Sequence, residues 1–278
     1  MLKRLAANAL PRLRDYIRIR RGYEIQHGYK PNVLRPKTFN EKVQRRKLFD
    51  RDPRLPLRAD KIEVKQFVSD KLGKDWITPT LWHGTELPDQ PMWPIPFVLK
   101  ASHGSAMNLF VRSEPDWNAI RTTCREWLAE RYYGSWAGEW LYSQIPPRLL
   151  VEPFIGELAA LPIDYKLWTF NGRVEFIQVD TDREHAHKRT MFDRDWKPLP
   201  FTTGYPIDER RIDRPKFLDR MIAASELLCE DISLVRSDFY ELESGPRFGE
   251  ITFYPDSGWT KFFPLQYDRE IGKLWSKR

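Results

Sequence analysis

The chain has 278 residues, 41% of them hydrophobic and 14% aromatic, which excludes a disordered polymer and leaves enough apolar side chain for one large domain or two small ones around a cleft. Its 46 Lys and Arg against 39 Asp and Glu give a net charge of +7, suited to an anionic ligand such as ATP, an acidic polysaccharide, a membrane surface or nucleic acid, without choosing among them. Two cysteines, Cys124 and Cys229, give no support to a disulfide framework or a zinc site and read as small buried thiols; no apolar run reaches transmembrane length.

In chain order, the opening MLKRLAANALPRLRDYIRIRR lacks the apolar stretch of a signal peptide, so a cytoplasmic protein is expected. Leu2, Leu5, Leu10, Leu13 and Ile17 alternate there with arginines, reading either as a solvated face on a packed helix or as peripheral contact with an anionic membrane at its inner face. Thr38 followed by Glu41 is a capping box and predicts a helix from Asn40 to Phe49; the next helix is expected from about Asp60, with Gly73 as its stop. A Pro-rich passage with the extended pieces WITPTLWHG and PFVLKAS follows, then a helix over about Asp116–Tyr133 with Ile120, Cys124, Trp127 and Leu128 at helical spacing. Pro146 and Pro147 open a strand, RLLVEPFI, and Asn171–Gly172 joins DYKLWTF to RVEFIQVD as a hairpin. MFDRDWKPLP reads as strand and turn, Pro215–Glu230 as a helix, and LVRSDFYEL with RFGEITFY as a closing hairpin turning at Ser244–Gly245. This mixed order predicts an α+β fold with mostly antiparallel sheets.

Several positions carry candidate chemistry. Lys100 ends an apolar strand, and the SHGS after it can expose successive N–H groups, which together make a phosphate site; a strand-end lysine before an ordinary turn has the same pattern. Asp238 and Glu250 can face each other across the closing hairpin, and two such carboxylates invite Mg²⁺; Arg236 points to the same side because strand side chains alternate. A surface hairpin would leave these charges in water, but the Phe and Tyr content argues for burial. Glu152 before Pro153 suits a hinge against an adenine edge or a strand end in solvent, and Asp164 and Lys166 share a strand face. The basic run DTDREHAHKR holds Arg183, His185, His187, Lys188 and Arg189 and reads as a solvated loop or as a clamp for an acceptor carboxylate; its HAH spacing makes no convincing metal motif.

Each of these is weak alone, but their order is not. With PKTFNEKVQ, ADKIEVKQFV, FVLKASHGSAMN, DYKLWTFNGRVEFIQVDTDR and RSDFYELESGPRFGEITFYPDSG, spread over about 23–265, the chain resembles the TupA-like (teichuronopeptide biosynthesis) branch of the ATP-grasp superfamily. The resemblance implies two α+β subdomains clasping ATP between mostly antiparallel sheets: an N-terminal helical segment over 1–55, N-terminal and flap-bearing subdomains over 56–150, and a C-terminal subdomain with the metal site over 151–278. It implies a helical Lys61 and a strand Lys100 on the phosphates, and His103, Gly104 and Ser105 in a flap over 102–108. Glu152, Pro153, Phe154 and Ile155 would form the adenine hinge, Asp164 and Lys166 further nucleotide contacts, and Asp238 and Glu250 the Mg²⁺ ligands. Arg236 matches the arginine that stabilises the tetrahedral intermediate, and Thr252 stands where many relatives carry a metal-binding Asn.

The implied activity is an ATP- and Mg²⁺-dependent carboxylate–amine ligase working through an acylphosphate. It would join an amino acid or other amine and a uronic-acid or peptide group on a bacterial cell-surface polysaccharide. Arg183, His185, Lys188 and Arg189 would hold the acidic acceptor. A glycan kinase could use the same ATP site with His103 or Asp256 as base. No nucleic-acid partner is expected, since a binding module would explain the charge but not Asp238 and Glu250.

Overall fold

The computed structural model describes residues 2–130, 135–158, 161–230 and 232–275, with side chains from Leu13 onward in the first helix; the amphipathic positions Leu2, Leu5 and Leu10 and the expected helix end at Tyr133 lie outside what is described. Four helices come first: α1 (Leu2–His27), α2 (Phe39–Phe49), α3 (Arg54–Ala59) and α4 (Glu63–Leu72). The capping box is present at α2, where Thr38 accepts from Glu41 N–H and the Glu41 carboxylate accepts from the backbone of Asn32, Lys37 and Thr38. The helix expected from Asp60 starts at Glu63 instead, so Lys61 sits in a turn rather than in the helix. Asp60 is the cause: its Oδ1 accepts from Ile62 N–H at 2.9 Å and its Oδ2 from Arg148 at 2.7 Å, so the side chain closes a turn in place of the first helical bonds.

Strands β1 (Trp82–Gly84), β2 (Phe97–Ala101), β3 (Asn108–Val111) and, after helix α5 (Trp117–Ala129), β4 (Leu149–Pro153) form a four-stranded antiparallel sheet in the order β1-β4-β2-β3. The rest of the chain supplies β5 (Asp164–Phe170), β6 (Arg173–Thr181), β7 (Lys188–Phe192), β8 (Thr202–Thr203), α6 (Leu218–Cys229), β9 (Leu234–Leu242), β10 (Gly245–Thr252), β11 (Phe262–Phe263) and α7 (Gln266–Leu274). Five of these strands build an antiparallel sheet, β10-β9-β5-β6-β7, and β11 pairs with β8. The architecture is the α+β arrangement of mostly antiparallel sheets that the sequence predicts.

Each sheet has its own core. On the smaller sheet Phe97, Leu99, Leu149 and Val151 pack with Trp93 and with Trp117, Ile120 and Cys124 of α5. On the larger sheet Leu167, Val179, Val235 and Phe239 pack under Leu218, Met221 and Leu228 of α6. Cys124 and Cys229 are both buried, and Cys229 donates to the Ile232 carbonyl.

The early helices belong to the larger core. Phe39 of α2 lies 5.3 Å from the Trp168 ring and 5.8 Å from those of Phe262 and Trp275, closing one end of the five-stranded sheet. The polar side of α2 is buried too. Arg46 donates to the Leu234 and Phe253 carbonyls, and Lys47 to Ser257 O at 2.6 Å and Oγ at 2.7 Å, so α2 grips the start of β9 and the segment after β10. Burial pulls the Lys47 ammonium down to about 7, with Glu139 opposing it.

Helix α7 crosses α2 at Gly272, where an added Cβ would lie 2.7 Å from Lys37 O and 2.8 Å from Phe39 N. An exposed helical Gly→Ala change normally stabilises by about 0.5–1 kcal/mol. Here Gly272→Ala is expected to destabilise by about 2 kcal/mol because the backbones are forced apart. Thermal denaturation checks the sign, and a raised Tm would contradict this packing.

Candidate active site

The polar face of the five-stranded sheet is built by alternation and by one irregularity. In β9, Arg236, Asp238 and Tyr240 share a side; their partners in β5 are Trp168, Lys166 and Asp164. Asp164 in turn pairs with Asp180 of β6, and Asp180 with Arg189 of β7. On the other edge, continuous pairing from Phe248–Phe239 would put Glu250 opposite Ser237, on the α6 side. A bulge at Gly249 shifts the register, so Glu250 pairs with Asp238 and Thr252 with Arg236. A Cβ at position 249 would stand 3.1 Å from Asp238 O and 3.2 Å from the Tyr240 ring, which is why glycine occupies the bulge.

The result is a compact ionic network. Arg236 forks onto Asp238 with two bonds of 2.8 Å and reaches Glu250 Oε1 at 3.2 Å and Thr252 Oγ1 at 3.0 Å. Lys166 donates to Asp238 at 2.8 Å and also to Asp164, and Arg183 reaches Asp164 at 3.1 Å. Burial pushes the Asp238 carboxyl up to about 6 against the pull of Arg236 and Lys166. At Glu250 burial also acts upward, but Lys61, Arg236, Lys166 and Lys100 outweigh it and bring the carboxyl down to about 2. Burial presses Lys166 downward, yet Asp164 and Asp238 hold it above the ordinary lysine range, so it is a fixed cation.

The facing wall comes from the smaller sheet and the turn before α4. Lys100 and Lys65 both bind the Glu152 carboxylate, Lys100 at 2.5 Å, and Lys61 donates to the Gly104 carbonyl. Burial pushes the Glu152 carboxyl up, but Lys100 and Lys65 more than offset it and hold it below the usual range. Burial lowers Lys61, with Glu250 the largest counterweight. Beyond Glu152 the chain runs through Pro153, Phe154 and Ile155 along a solvent-open cavity. Phe110 meets Phe154 edge-on at 6.2 Å, and Arg112 lies over Phe154 at 5.1 Å. A second cavity, lined by Lys166, Asp238 and Glu250, shares Lys61, Lys100, Glu152 and Tyr240 with the first, so the two are one cleft between the sheets.

Of the residues singled out from sequence, Lys61, Lys100, Ser105, Glu152 to Ile155, Asp164, Lys166, Arg183, Asp238 and Glu250 line this cleft. The Glu152 carboxylate faces lysines rather than a hinge edge. Gly104 meets Lys61 through its carbonyl, so that contact offers an acceptor and not an N–H donor. His103 is buried, with Nε2 at 3.0 Å from the Trp127 carbonyl, and does not line the cleft. The basic run is not uniformly solvated. Arg189 is buried with its fork on Asp180, while His185 lines a small side pocket that shares Asp180 and Arg183 with the cleft, and Lys188, at the start of β7, is outside the cleft's lining.

Lys65, Asp180, Tyr240 and Gly249 also belong to the site and were not picked out from sequence, and His187 of the basic run lines it too. Asp180 could have been found by running the Asn171–Gly172 hairpin outward, but a register shift at Trp168–Thr169 hides its pairing with Asp164.

Among the described residues no three His, Cys, Asp or Glu side chains converge to hold a metal ion on their own. The donor set instead suits Mg²⁺, which takes one or two carboxylates and completes its shell with phosphate and water. Glu250 keeps 41% of its side-chain exposure, opening onto the cleft, and Asp164 Oδ1 is enclosed without a hydrogen-bond partner among the described residues.

The lysine wall makes its own prediction. Glu152→Gln leaves Lys65 and Lys100 without their carboxylate and is expected to lower stability by about 2 kcal/mol. Added ATP, whose phosphates replace the lost charge, should then raise Tm more in the variant than in the parent. Equal shifts in a thermal-unfolding titration would contradict that.

No curated protein matches the sequence. Among solved structures the chain is similar to D-alanine–D-alanine ligase from Bacillus anthracis, with 16% identity and a TM-score of 0.45 over 70% of this chain and 57% of that one. The corresponding enzyme from Helicobacter pylori shares 18% identity with a TM-score of 0.42 over 79% and 60% of the two chains. L-amino acid ligase from Bacillus licheniformis shares 11% with a TM-score of 0.41 over 82% and 46%. The chain thus spans 46% to 60% of the length of these three proteins. Its sequence matches the family described as TupA-like ATPgrasp over residues 41–276, a stretch that contains both sheets and every wall of the cleft. The chain belongs to the TupA-like ATPgrasp family.

Proposed function

We propose that this protein is an ATP- and Mg²⁺-dependent ligase that joins a carboxylate to an amine through an acylphosphate. One observation carries the reading: a single cleft sets three lysines on one wall against the Arg236–Asp238–Glu250 group on the other. The four-stranded sheet, which ends with β4 at Pro153 and so runs past a boundary at 150, and the five-stranded sheet after it act as the clasping parts, and 1–55 braces the second of them.

In this reading the aromatic slot beside Phe154 and Phe110 takes the adenine, and Lys61 and Lys100 lie along the phosphates with Ser105 in the flap above. Asp238 and Glu250, with the Thr252 hydroxyl beside them, would hold Mg²⁺, which neutralises charge on the transferring phosphate. Lys166 stays protonated and fixes Asp164 and Asp238 in place. Arg236, already aimed at this point, stabilises the oxyanion formed when the amine attacks the acyl carbon. Closing the flap excludes water, which would otherwise hydrolyse the acylphosphate.

The substrates that fit the family and the basic character of the 183–189 segment are an amino acid and a uronic-acid glycan or peptide on a bacterial surface polymer. The acidic acceptor would lie against Arg183. Two observations weigh against a kinase: His103 is bonded inward to Trp127 O, and Asp256 is paired with Arg189. No helix among the described residues is long and apolar enough to cross a membrane. The exposed Leu13 and Ile17, beside Arg14 and Arg18, favour peripheral contact with an anionic surface from the cytoplasmic side.

ADP release scanned over amino acids and uronic-acid glycans tests the reading. Amine-dependent ADP is expected, and Glu250→Gln should remove it. Arg236→Lys keeps the charge but loses the fork, and kcat is expected to fall about 100-fold with little change in the KM for ATP. Absence of acceptor-dependent ADP throughout, or an unchanged kcat in Arg236→Lys, would contradict it.

A further inference from the structure

Beside the paired carboxylates the cleft holds a histidine that none of these roles uses. His187 leads into β7, and it is the one histidine among the described residues lining the cleft, in the cavity that also contains Lys166, Asp238 and Glu250. Its ring is clamped. It stacks on Tyr205 with centroids 3.7 Å apart and planes inclined by 24°, and the same tyrosine ring carries the Arg189 guanidinium at 4.9 Å. Nε2 is enclosed, has no hydrogen-bond partner among the described residues, and faces Asp180 Oδ1 at 3.5 Å.

Asp180 is itself held rigidly. Arg189 reaches Oδ1 at 2.7 Å and Oδ2 at 3.1 Å, and Gln178 donates to the same oxygens at 3.2 and 3.1 Å. Burial acts upward on this carboxyl, but His187 and Arg189 outweigh it and keep it far below the usual range. A carboxylate fixed on a sheet therefore faces one nitrogen of an imidazole whose side chain keeps 20% exposure. Such a carboxylate selects the tautomer that leaves the other nitrogen free to take a proton, and catalytic contacts of this type are commonly long before substrate binds.

The reaction needs a group of that kind. An amino-acid amine is mostly protonated at neutral pH and must lose a proton before its lone pair can attack. Lys61, Lys100, Lys166, Arg183 and Arg236 around the cleft are cations, and Asp164, Asp180 and Asp238 are engaged in ion pairs.

We propose that His187 is the general base of the amide-forming step and that the amine binds beside it in the cleft, on the side of Asp180; this rests on the ligase reading. One ammonium proton passes to Nδ1 of His187 while Nε2–H is held towards Asp180. The freed lone pair forms the C–N bond at the acyl carbon, the bond from that carbon to the phosphate oxygen breaks, and a second amine proton leaves with the phosphate. His187 returns its proton to water.

Hydroxylamine is uncharged at neutral pH and needs no base, so it separates the two half-reactions. The parent protein, His187→Gln and His187→Phe are incubated with ATP, Mg²⁺ and a panel of uronic acids and amino acids as carboxylates, with either hydroxylamine or an amino acid as nucleophile. Both variants are expected to form hydroxamate as the parent does, while amide formation falls about 100-fold. His187→Phe keeps a ring on Tyr205, so parent-level amide formation in that variant would show that stacking alone matters and would overturn the proposal. Equal loss of hydroxamate and amide would overturn it too, since the residue would then serve the first half-reaction or the fold. A parent protein that forms no hydroxamate with any carboxylate would remove the ligase reading itself.

Discussion

The structure turns on one electrostatic constraint: a β-sheet face that carries carboxylates into the interior must carry their counter-charges as well. Asp164, Asp180, Asp238 and Glu250 lie on that face, and Lys166, Arg183, Arg189 and Arg236 meet them. An unpaired ion there would cost several kcal/mol, so the network is formed before any ligand arrives. The opposite wall is not balanced in this way: Lys61, Lys65 and Lys100 face the single carboxylate of Glu152. The imbalance leaves excess positive charge on the lysine wall, while the balanced wall keeps Asp238 and Glu250 beside Arg236 and Lys166. In the proposed ligase reading, the first wall takes the phosphates and the second the metal.

Holding that face in register draws on distant parts of the chain. Helix α2 bonds through Arg46 and Lys47 to Leu234, Phe253 and Ser257, which bracket the β9–β10 hairpin. Asp256 and Ser257 have φ values of 46° and 55°, left-handed backbone that side-chain-bearing residues rarely adopt. Such strain persists only where the surroundings over-determine it. Here Lys47 and Gln44 grip Ser257, and the turn delivers Asp256 to Arg189. The N-terminal helices are in this sense part of the site.

What was legible in the sequence was local. Thr38 with Glu41 marks the start of α2, Asn171–Gly172 marks a hairpin, and two-residue alternation places Arg236 with Asp238 and Asp164 with Lys166 on one face. What was hidden depends on long-range pairing. The Gly249 bulge decides which side Glu250 faces, and a glycine inside RFGEITFY marks a bulge without fixing the register that follows it. Arg189 and His187 stand in a run whose charge reads as solvated, and only the β6–β7 pairing buries the first and turns the second towards Asp180. Lys61 was expected in a helix because the reach of the Asp60 side chain is invisible until Arg148 is placed beside it. The family resemblance supplied roles that residue patterns alone left open, above all the joining of the lysines and the closing hairpin into one cleft.

The most direct measurement follows oxygen from the carboxylate substrate. With that substrate labelled in its carboxylate by ¹⁸O, attack on the terminal phosphate of ATP moves one labelled oxygen into the inorganic phosphate released on amide formation. Label in inorganic phosphate, alongside ADP, is the result expected from a cleft that sets the lysine wall against Asp238, Glu250 and Arg236. Label in AMP, or a phosphorylated glycan with no inorganic phosphate released, would contradict it.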